Sequence, residues 1–328
     1  MLNRRKIMMA IGVGVLTHRA APAQTPRKLW RIGFLTATSP AVYEPRLHAF
    51  KAGLTALGYA DGRDYRIEIR ASGTDPARLP GLAAELVALK ADLILTSSTP
   101  TVLAASRATR TIPIVMTTAG DPVGVGVAAS LARPGGNVTG MTSISTDLSS
   151  KLLDLLRQVV PGLRRVGIVY DPNNPIYTLG LSRFEAGCKT LKMEAIRAPA
   201  STAEDFAAAF QLLSQKKAHG VFVTDSSTNV TAHQQVVALA ATHRLPAIYG
   251  SGATDLNSGA LMSYGPDFVD LYRRAAAYAD RIFKGVRPAD LPIQQPTLFE
   301  FSVNLKTAKA LGLKVPQAIL IQATKVIE

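Results

Sequence analysis

The chain has 328 residues, 47% of them hydrophobic, and 37 basic against 23 acidic residues give it a formal net charge of +14. This length and apolar content are enough for two domains of ordinary size, each with a buried core. The one cysteine, Cys188, excludes an internal disulfide, and we expect its thiol to be buried in a helical segment over 183–191.

The first 23 residues have the parts of a secretory signal peptide. The basic segment Asn3–Lys6 precedes the apolar run Ile7–Leu16, and Ala21, Pro22 and Ala23 offer a small-residue cleavage site. The paired arginines also fit a twin-arginine signal, so both export routes stay open. We therefore expect a periplasmic protein whose signal peptide covers residues 1–23.

Cleavage there leaves 33 basic against 23 acidic residues and a net charge of +10. Such a charge can attract nucleic acid, but the sequence has no block of Lys and Arg interleaved with aromatic residues, and an exported protein seldom meets nucleic acid. We therefore expect no nucleic acid partner. After the signal, no apolar run reaches the roughly 18 residues of a transmembrane helix.

From residue 30 onward, apolar runs alternate with helical patterns. The predicted strands cover 30–35, 65–70, 92–95, 112–116, 137–141, 165–169, 194–197, 221–224, 245–247, 260–264 and 298–303. The predicted helices cover 43–57, 78–90, 102–109, 123–131, 183–191, 268–284 and 305–311. This alternation predicts an α/β protein with parallel sheets built from right-handed crossover units.

The second half of the chain repeats the first. Arg31–Leu35 returns as Arg165–Val169 after an offset of 134 residues, and Ser97–Thr99 returns as Ser226–Thr228. Several matches in one order predict two similar Rossmann-like lobes. The elements after residue 260 exceed what the second lobe needs, so we infer that the chain recrosses and that several strands form a hinge. The predicted division is a first lobe over 29–141 plus 264–290 and a second lobe over 142–263 plus 291–328.

Ser97, Ser98 and Thr99 follow a predicted strand and precede Pro100, where a helix begins. In an open α/β sheet, ligands bind at the carboxyl ends of the strands, and free amides at a helix start attract an anion. The three residues therefore predict an anion site. Helix capping alone would select the same residues, and that alternative stays open.

Asp121 follows the next predicted strand and precedes Pro122. Its carboxylate is a candidate partner for a ligand ammonium group, so the two neighbouring sites would together fit a zwitterion such as an amino acid. The alternative is a turn or cap within the chain, a role that Asp often takes before a turn.

Further candidates for ligand contact come from loops that follow other strands. The tyrosines would offer flat apolar walls to an aromatic or long aliphatic group, although ordinary packing explains each of them as well. Asp225 has the alternative of an ion pair with Lys or Arg across the hinge. These candidates are Tyr43, Asn173, Asn174, Asp225, Tyr249 and Tyr264.

Enzymatic patterns are missing from the sequence. No Gly-x-Gly-x-x-Gly follows the first strand, no Gly-x-Ser-x-Gly is present, and the histidines are scattered without partners at metal-ligand spacing. We therefore expect a protein that is not an enzyme and that holds no metal or cofactor.

Five segments together resemble the ABC transporter substrate-binding protein family, whose studied members include aromatic amino-acid receptors. The resemblance covers nearly the whole mature chain and rests on Thr117–Pro122, Arg133–Gly140, Asp171–Pro175, Leu261–Gly265 and Asn304–Gly312. It implies a type I periplasmic binding protein with two lobes, three crossovers and a ligand between the lobes. We expect a monomer that binds a small-molecule solute and presents it to an inner-membrane ABC permease. The alternative role is a ligand-sensing module for a membrane receptor or kinase.

Overall fold

The computed structural model describes residues 28–73, 75–144, 147–252 and 255–328. The predicted signal peptide over 1–23 lies outside these residues. Within the described ranges, no helix combines the length and the apolar character that crossing a bilayer requires.

Strands and helices alternate as predicted, but the sequence analysis did not predict the helices over 149–159, 203–215, 227–231, 233–242 and 317–322. The strands are β1 (Trp30–Thr36), β2 (Tyr65–Ala71), β3 (Leu93–Thr96), β4 (Ile114–Ala119), β5 (Val138–Thr142), β6 (Arg165–Tyr170), β7 (Glu194–Pro199), β8 (Gly220–Val223), β9 (Ala247–Tyr249), β10 (Met262–Pro266), β11 (Phe299–Asn304) and β12 (Lys325–Ile327). The helices are α1 (Pro40–Ala56), α2 (Leu79–Ala88), α3 (Thr99–Ala108), α4 (Ser149–Val159), α5 (Pro175–Thr190), α6 (Ala203–Gln215), α7 (Ser227–Thr231), α8 (His233–Thr242), α9 (Phe268–Phe283), α10 (Leu305–Ala310) and α11 (Gln317–Gln322).

The two sheets share a five-stranded core, in which β2-β1-β3-β4-β5 of the first corresponds to β7-β6-β8-β9-β10 of the second. The first sheet has the order β2-β1-β3-β4-β5 with parallel pairs, and the second has the order β12-β11-β10-β9-β8-β6-β7. In the second sheet β6 lies between β7 and β8, as β1 lies between β2 and β3, and these pairs are also parallel. Strand β11 pairs antiparallel with β10. The predicted α/β fold with two similar lobes is confirmed.

The repeated strand keeps a glycine where a helix approaches it. A Cβ on Gly33 of β1 would lie 2.9 Å from Leu86 Cδ2 of α2, and one on Gly167 of β6 would lie 2.3 Å from Leu213 Cδ2 of α6. A side chain at either position would displace the leucine that packs against the strand there. The duplicated Arg-x-Gly sequence therefore reflects the same close packing in both lobes.

Each sheet is covered by helices on both faces, which explains the nearly continuous apolar strands. In the first lobe, one buried cluster joins β1 to α1 and α9, and another joins the sheet to α2 and α3. In the second lobe, α4 and α5 pack on one face and α6 and α8 on the other. Cys188 of α5 is 1% exposed inside the first of these clusters, so the predicted burial of its thiol is confirmed.

The chain passes between the lobes in three segments: from β5 to α4, from β10 to α9, and from Gln294 to β11. Gln294 pairs with the first lobe, because its N–H donates to Gly140 O at 2.9 Å. The predicted first lobe begins its second part at residue 264, whereas the structure keeps Tyr264–Pro266 in the second sheet as part of β10. The exact lobe boundaries stay a prediction.

Two helix predictions differ from the structure. The helix predicted over 123–131 is wrong: this segment forms turns, with Gly126 at a φ of 76° and the carboxylate of Asp121 accepting from Gly124 N–H at 2.9 Å. Two glycines so close together favour a turn over a helix. Helix α5 begins at Pro175, eight residues earlier than predicted, because Asn174 caps its first turn.

Candidate functional site

The first wall of the site is a row of hydroxyls at the carboxyl ends of β1, β3 and β4. Ser97 Oγ donates to Thr36 Oγ1 at 3.0 Å, and Thr101 Oγ1 accepts from Ser98 N–H at 2.9 Å. Thr99 Oγ1 accepts from Gly120 N–H at 3.0 Å. These bonds give backbone N–H groups near the start of α3 acceptors within the protein itself. They also hold the loops after β3 and β4 in one arrangement.

The second wall carries a carboxylate. Asp225 follows β8, and its Oδ1 accepts a hydrogen bond from Tyr177 OH of α5 at 2.8 Å. Tyr177 is buried, and burial together with the nearby Asp225 charge raises its pKa well above the ordinary value, so the phenol stays a donor at neutral pH. Asn174, at the start of α5, also lies in this wall and caps the helix by accepting from Ile176 N–H.

A narrow polar cavity of about 30 Å³ lies between the two walls. This is room for about one or two water molecules, so the two walls lie close together in this arrangement. The cavity has residues of the first lobe on one side and of the second lobe on the other. Its lining consists of Thr38, Arg46, Ser97, Ser98, Thr99, Thr118, Gly120, Ser143, Asn174, Ile176, Tyr177, Asp225, Ser227, Val230 and Phe268.

A larger groove of about 310 Å³ adjoins the polar cavity. Arg46 and Val230 line both spaces, which places the groove directly beside the charged residues. Its walls also come from both lobes and are mainly apolar, with Val42 and Val269 on one side and Val223 and Tyr249 on the other. The two spaces together provide a polar compartment and an apolar one.

Six of the ten residues predicted from the sequence border these spaces. Ser97, Ser98, Thr99, Asn174 and Asp225 line the polar cavity, and Tyr249 lines the apolar groove. Their roles as ligand contacts stay predictions. Placement alone shows that hydroxyls and a carboxylate converge from opposite lobes.

The other four predicted residues lie elsewhere. Tyr43 packs edge-on against Phe34 in the core of the first lobe, at a distance of 5.8 Å between ring centroids. Tyr264 stacks on Phe299 beside the hinge. Asn173 is exposed in the loop before α5, and the Asp121 carboxylate is engaged in the turn to Gly124. Asp121 is not among the residues that line the polar cavity.

Arg46 is the main cavity residue that the sequence reasoning missed. It lies on the buried face of α1 together with Tyr43, Leu47 and Phe50, and it is 9% exposed. Burial lowers the pKa of its guanidinium, while Tyr272 and Asp225 oppose this shift, and an arginine stays charged under either influence. The sequence did contain a signal for Arg46. This arginine lies on the apolar face of a helix, where a hydrophobic core residue is normally found.

Two lobes with parallel sheets, joined by three segments and enclosing a polar cavity, define the class of two-lobed solute-binding proteins. The chain matches the family of ABC transporter substrate binding proteins over residues 37–327, and it belongs to this family. The resemblance inferred from the sequence segments is thereby confirmed. Proteins of this family bind small molecules, interact with a membrane permease and are typically extracellular or periplasmic.

Three relatives illustrate the similarity. A tyrosine-binding protein of Clostridioides difficile (strain R20291) is 30% identical over 281 residues, which is 84% of this chain and 80% of that protein. A conserved domain protein of Vibrio cholerae has a similar structure, with a TM-score of 0.86 at 24% identity over 91% of this chain and 100% of the other. The ABC domain of a Streptococcus pneumoniae protein in complex with L-Trp gives a TM-score of 0.85 at 23% identity over 92% and 100%.

Proposed function

We propose that this protein is the periplasmic solute-binding component of an ABC importer and that its solute is an amino acid. The observation that carries the proposal is the cavity lined from both lobes, with a row of hydroxyls on one wall and the Asp225 carboxylate on the other. The hydroxyls suit polar groups of a ligand, and the carboxylate suits its ammonium group. Two relatives point the same way, since one is named for tyrosine binding and one contains L-Trp.

A ligand that contacts both walls favours the arrangement in which the lobes are close together. Three connecting segments restrict relative motion to a hinge, and the ligand biases the open and closed arrangements by touching both lobes. The permease then distinguishes the closed, loaded form from the open one. We expect no catalytic step, no nucleic acid partner and a monomeric protein in the periplasm, delivered there by the signal peptide predicted over 1–23.

The adjoining groove provides room for the side chain of the amino acid. Its lining is mainly apolar, and its volume of about 310 Å³ lies at the lower end of the roughly 300 to 1,000 Å³ that small-molecule sites occupy. A ligand with its charged end in the polar cavity would place an apolar side chain in this groove. The groove therefore supports amino acids with large apolar side chains as first candidates.

Native mass spectrometry of the purified protein, followed by calorimetric titration with the twenty amino acids, tests the proposal. After the mass spectrometry and before the titration, refolding from denaturant removes any solute that purified with the protein. We expect one bound solute of amino-acid mass and tight binding of a subset of large apolar amino acids. Absence of binding for all twenty, with a different solute found by mass, would reject the amino-acid assignment.

A further inference from the structure

Arg46 is a buried cation without a hydrogen-bond partner. It is 9% exposed, and within the described part of the chain no residue accepts a hydrogen bond from its guanidinium or pairs with it as an ion. Its guanidinium lies over the Phe268 ring, whose centroid is 4.7 Å from Arg46 Cζ. An arginine offers five N–H donors. No Arg46 nitrogen is among the fully buried atoms of the described residues that lack a partner, so its donors reach the open space of the cavity that it lines.

Such an arrangement is costly for the protein alone. Removing an ion from water is costly, and a single cation–π contact offsets only part of that cost. The Asp225 charge acts on Arg46 through space but already receives the Tyr177 hydroxyl. An anionic ligand that accepts hydrogen bonds from the guanidinium would offset the remaining cost.

The position of Arg46 defines how a ligand would lie. Arg46 comes from the first lobe and lines both the polar cavity and the apolar groove, whereas Asp225 comes from the second lobe and lines the polar cavity. A cation and an anion on opposite walls match the two charges of a zwitterion. The groove begins at Arg46, where the substituent of the ligand would enter it.

We propose that Arg46 binds the carboxylate of the ligand and sets its specificity for amino acids with a free carboxylate. The proposal rests on the proposed function and deepens it, since it assigns the anionic end of the same ligand. A guanidinium holds a carboxylate through two parallel N–H···O bonds, which gives direction as well as charge. The amide of Ser98 at the start of α3, the alternative anion site, already donates to Thr101 Oγ1 at 2.9 Å.

The experiment compares wild type with Arg46→Met, Arg46→Lys and the control Arg78→Met, an exposed arginine of the same lobe. Each protein, stripped of bound solute, is titrated with L-tyrosine and with tyramine, which lacks the carboxylate. We expect wild type to favour L-tyrosine by roughly a hundredfold and Arg46→Met to lose most of this preference through weaker L-tyrosine binding. Arg46→Lys keeps the charge without the paired geometry and should lose about tenfold, while the control binds as wild type does.

Thermal unfolding separates ligand binding from a structural role. Methionine keeps much of the apolar volume without a buried charge, so ligand-free Arg46→Met should unfold at or above the wild-type temperature. Lower stability together with unchanged L-tyrosine affinity would show that Arg46 serves the fold through Phe268 and would overturn the proposal. Equal affinity of wild type for L-tyrosine and tyramine would overturn it as well.

The two proposals can fail separately. If wild type binds neither L-tyrosine nor any other of the twenty amino acids, the proposed function falls and the carboxylate role falls with it. If wild type binds an amino acid that is not tyrosine, that amino acid and its decarboxylated amine replace the pair of probes. If Arg46→Met then binds it within threefold of wild type, only the assignment of Arg46 is rejected.

Discussion

The two walls of the cavity stand on equivalent strands but have opposite chemistry. After β3 in the first lobe come Ser97 to Thr99, and after β8 in the second lobe comes Asp225. The first wall adds the Arg46 cation from α1, whereas the second adds the phenol of Tyr177 from α5. The two equivalent walls therefore carry opposite charges, Arg46 on the first and Asp225 on the second. A ligand with two opposite charges would match this arrangement.

The largest expected effect in this comparison comes from removing the charge of the second wall. Asp225→Asn keeps the shape and an acceptor for Tyr177 OH but lowers the interaction with an ammonium group. We expect amino-acid affinity, measured by calorimetry, to fall roughly fiftyfold, since hydrogen bonds to charged groups contribute about 1.5 to 3 kcal/mol.

Asp121→Asn is the matched control for that substitution. Asparagine can keep the turn to Gly124, where the carboxylate now accepts at 2.9 Å, and it tolerates the φ of 33° at this position. We expect affinity to stay within about twofold. A large loss for Asp121→Asn with a small one for Asp225→Asn would exchange the roles of the two carboxylates and restore the sequence-based assignment.

The second prediction concerns the fit between the walls. A Cβ on Gly120 of the first lobe would lie 2.9 Å from Ile176 Cγ1 of the second lobe, which is closer than such atoms approach. Gly120→Ala should therefore oppose closure and lower affinity about tenfold, or about 1.4 kcal/mol.

Two further variants identify the cause. Gly120→Ala combined with Ile176→Ala should recover most of the affinity, because the second substitution removes the obstructing group. Gly136→Ala is the control, since a Cβ there meets nothing within 4 Å. Failure of the double variant to recover would mean that Gly120 acts within its own lobe rather than on closure.

A smaller effect should follow from the support of Asp225. Tyr177→Phe retains the buried ring but removes the hydrogen bond of 2.8 Å to the carboxylate. We expect the Tyr177 hydroxyl to orient Asp225 rather than to contact the ligand, so affinity should fall only about threefold to fivefold. A loss as large as that for Asp225→Asn would mean that the phenol itself binds the ligand.

The last prediction asks whether binding changes the interior of the second lobe. Burial raises the pKa of Cys188 to about 12, so the thiol stays protonated and unreactive at pH 8. We expect a thiol reagent to leave Cys188 unmodified with or without ligand and to modify it fully in denaturant. Ligand-dependent labelling would contradict rigid lobes that move about a hinge.

Much of the scaffold was predictable because it rests on local patterns. The apolar runs predicted most strands to within a few residues, and Arg31–Leu35 and Arg165–Val169 correctly predicted the duplication. The predicted helix boundaries were wrong where a single capping residue sets them, as Asn174 does at the start of α5. The helix prediction over 123–131 was wrong because the apolar residues of this segment suggest a helix while its glycines favour turns.

The candidate site was predictable in part. Ser97 and Asp225 each follow a strand, and parallel strands bring their carboxyl ends to one edge of their sheet, so the place of each residue at the edge of its own sheet follows from the alternation of elements. Arg46 instead lies inside a helix, and nothing in the order of elements says which face of that helix meets the other lobe. Tyr43, three residues earlier, was predicted for the cleft and packs in the core.

The sequence by itself determined the fold class, the duplication and the edge at which polar residues gather, because strand periodicity, helix caps and glycine packing act over short distances. Only the tertiary structure decided which charges face one another. Arg46 and Asp225 are far apart in the chain and belong to different lobes. They line one cavity because three connecting segments set the two lobes face to face, and an arrangement of that kind leaves no local pattern in a single sequence.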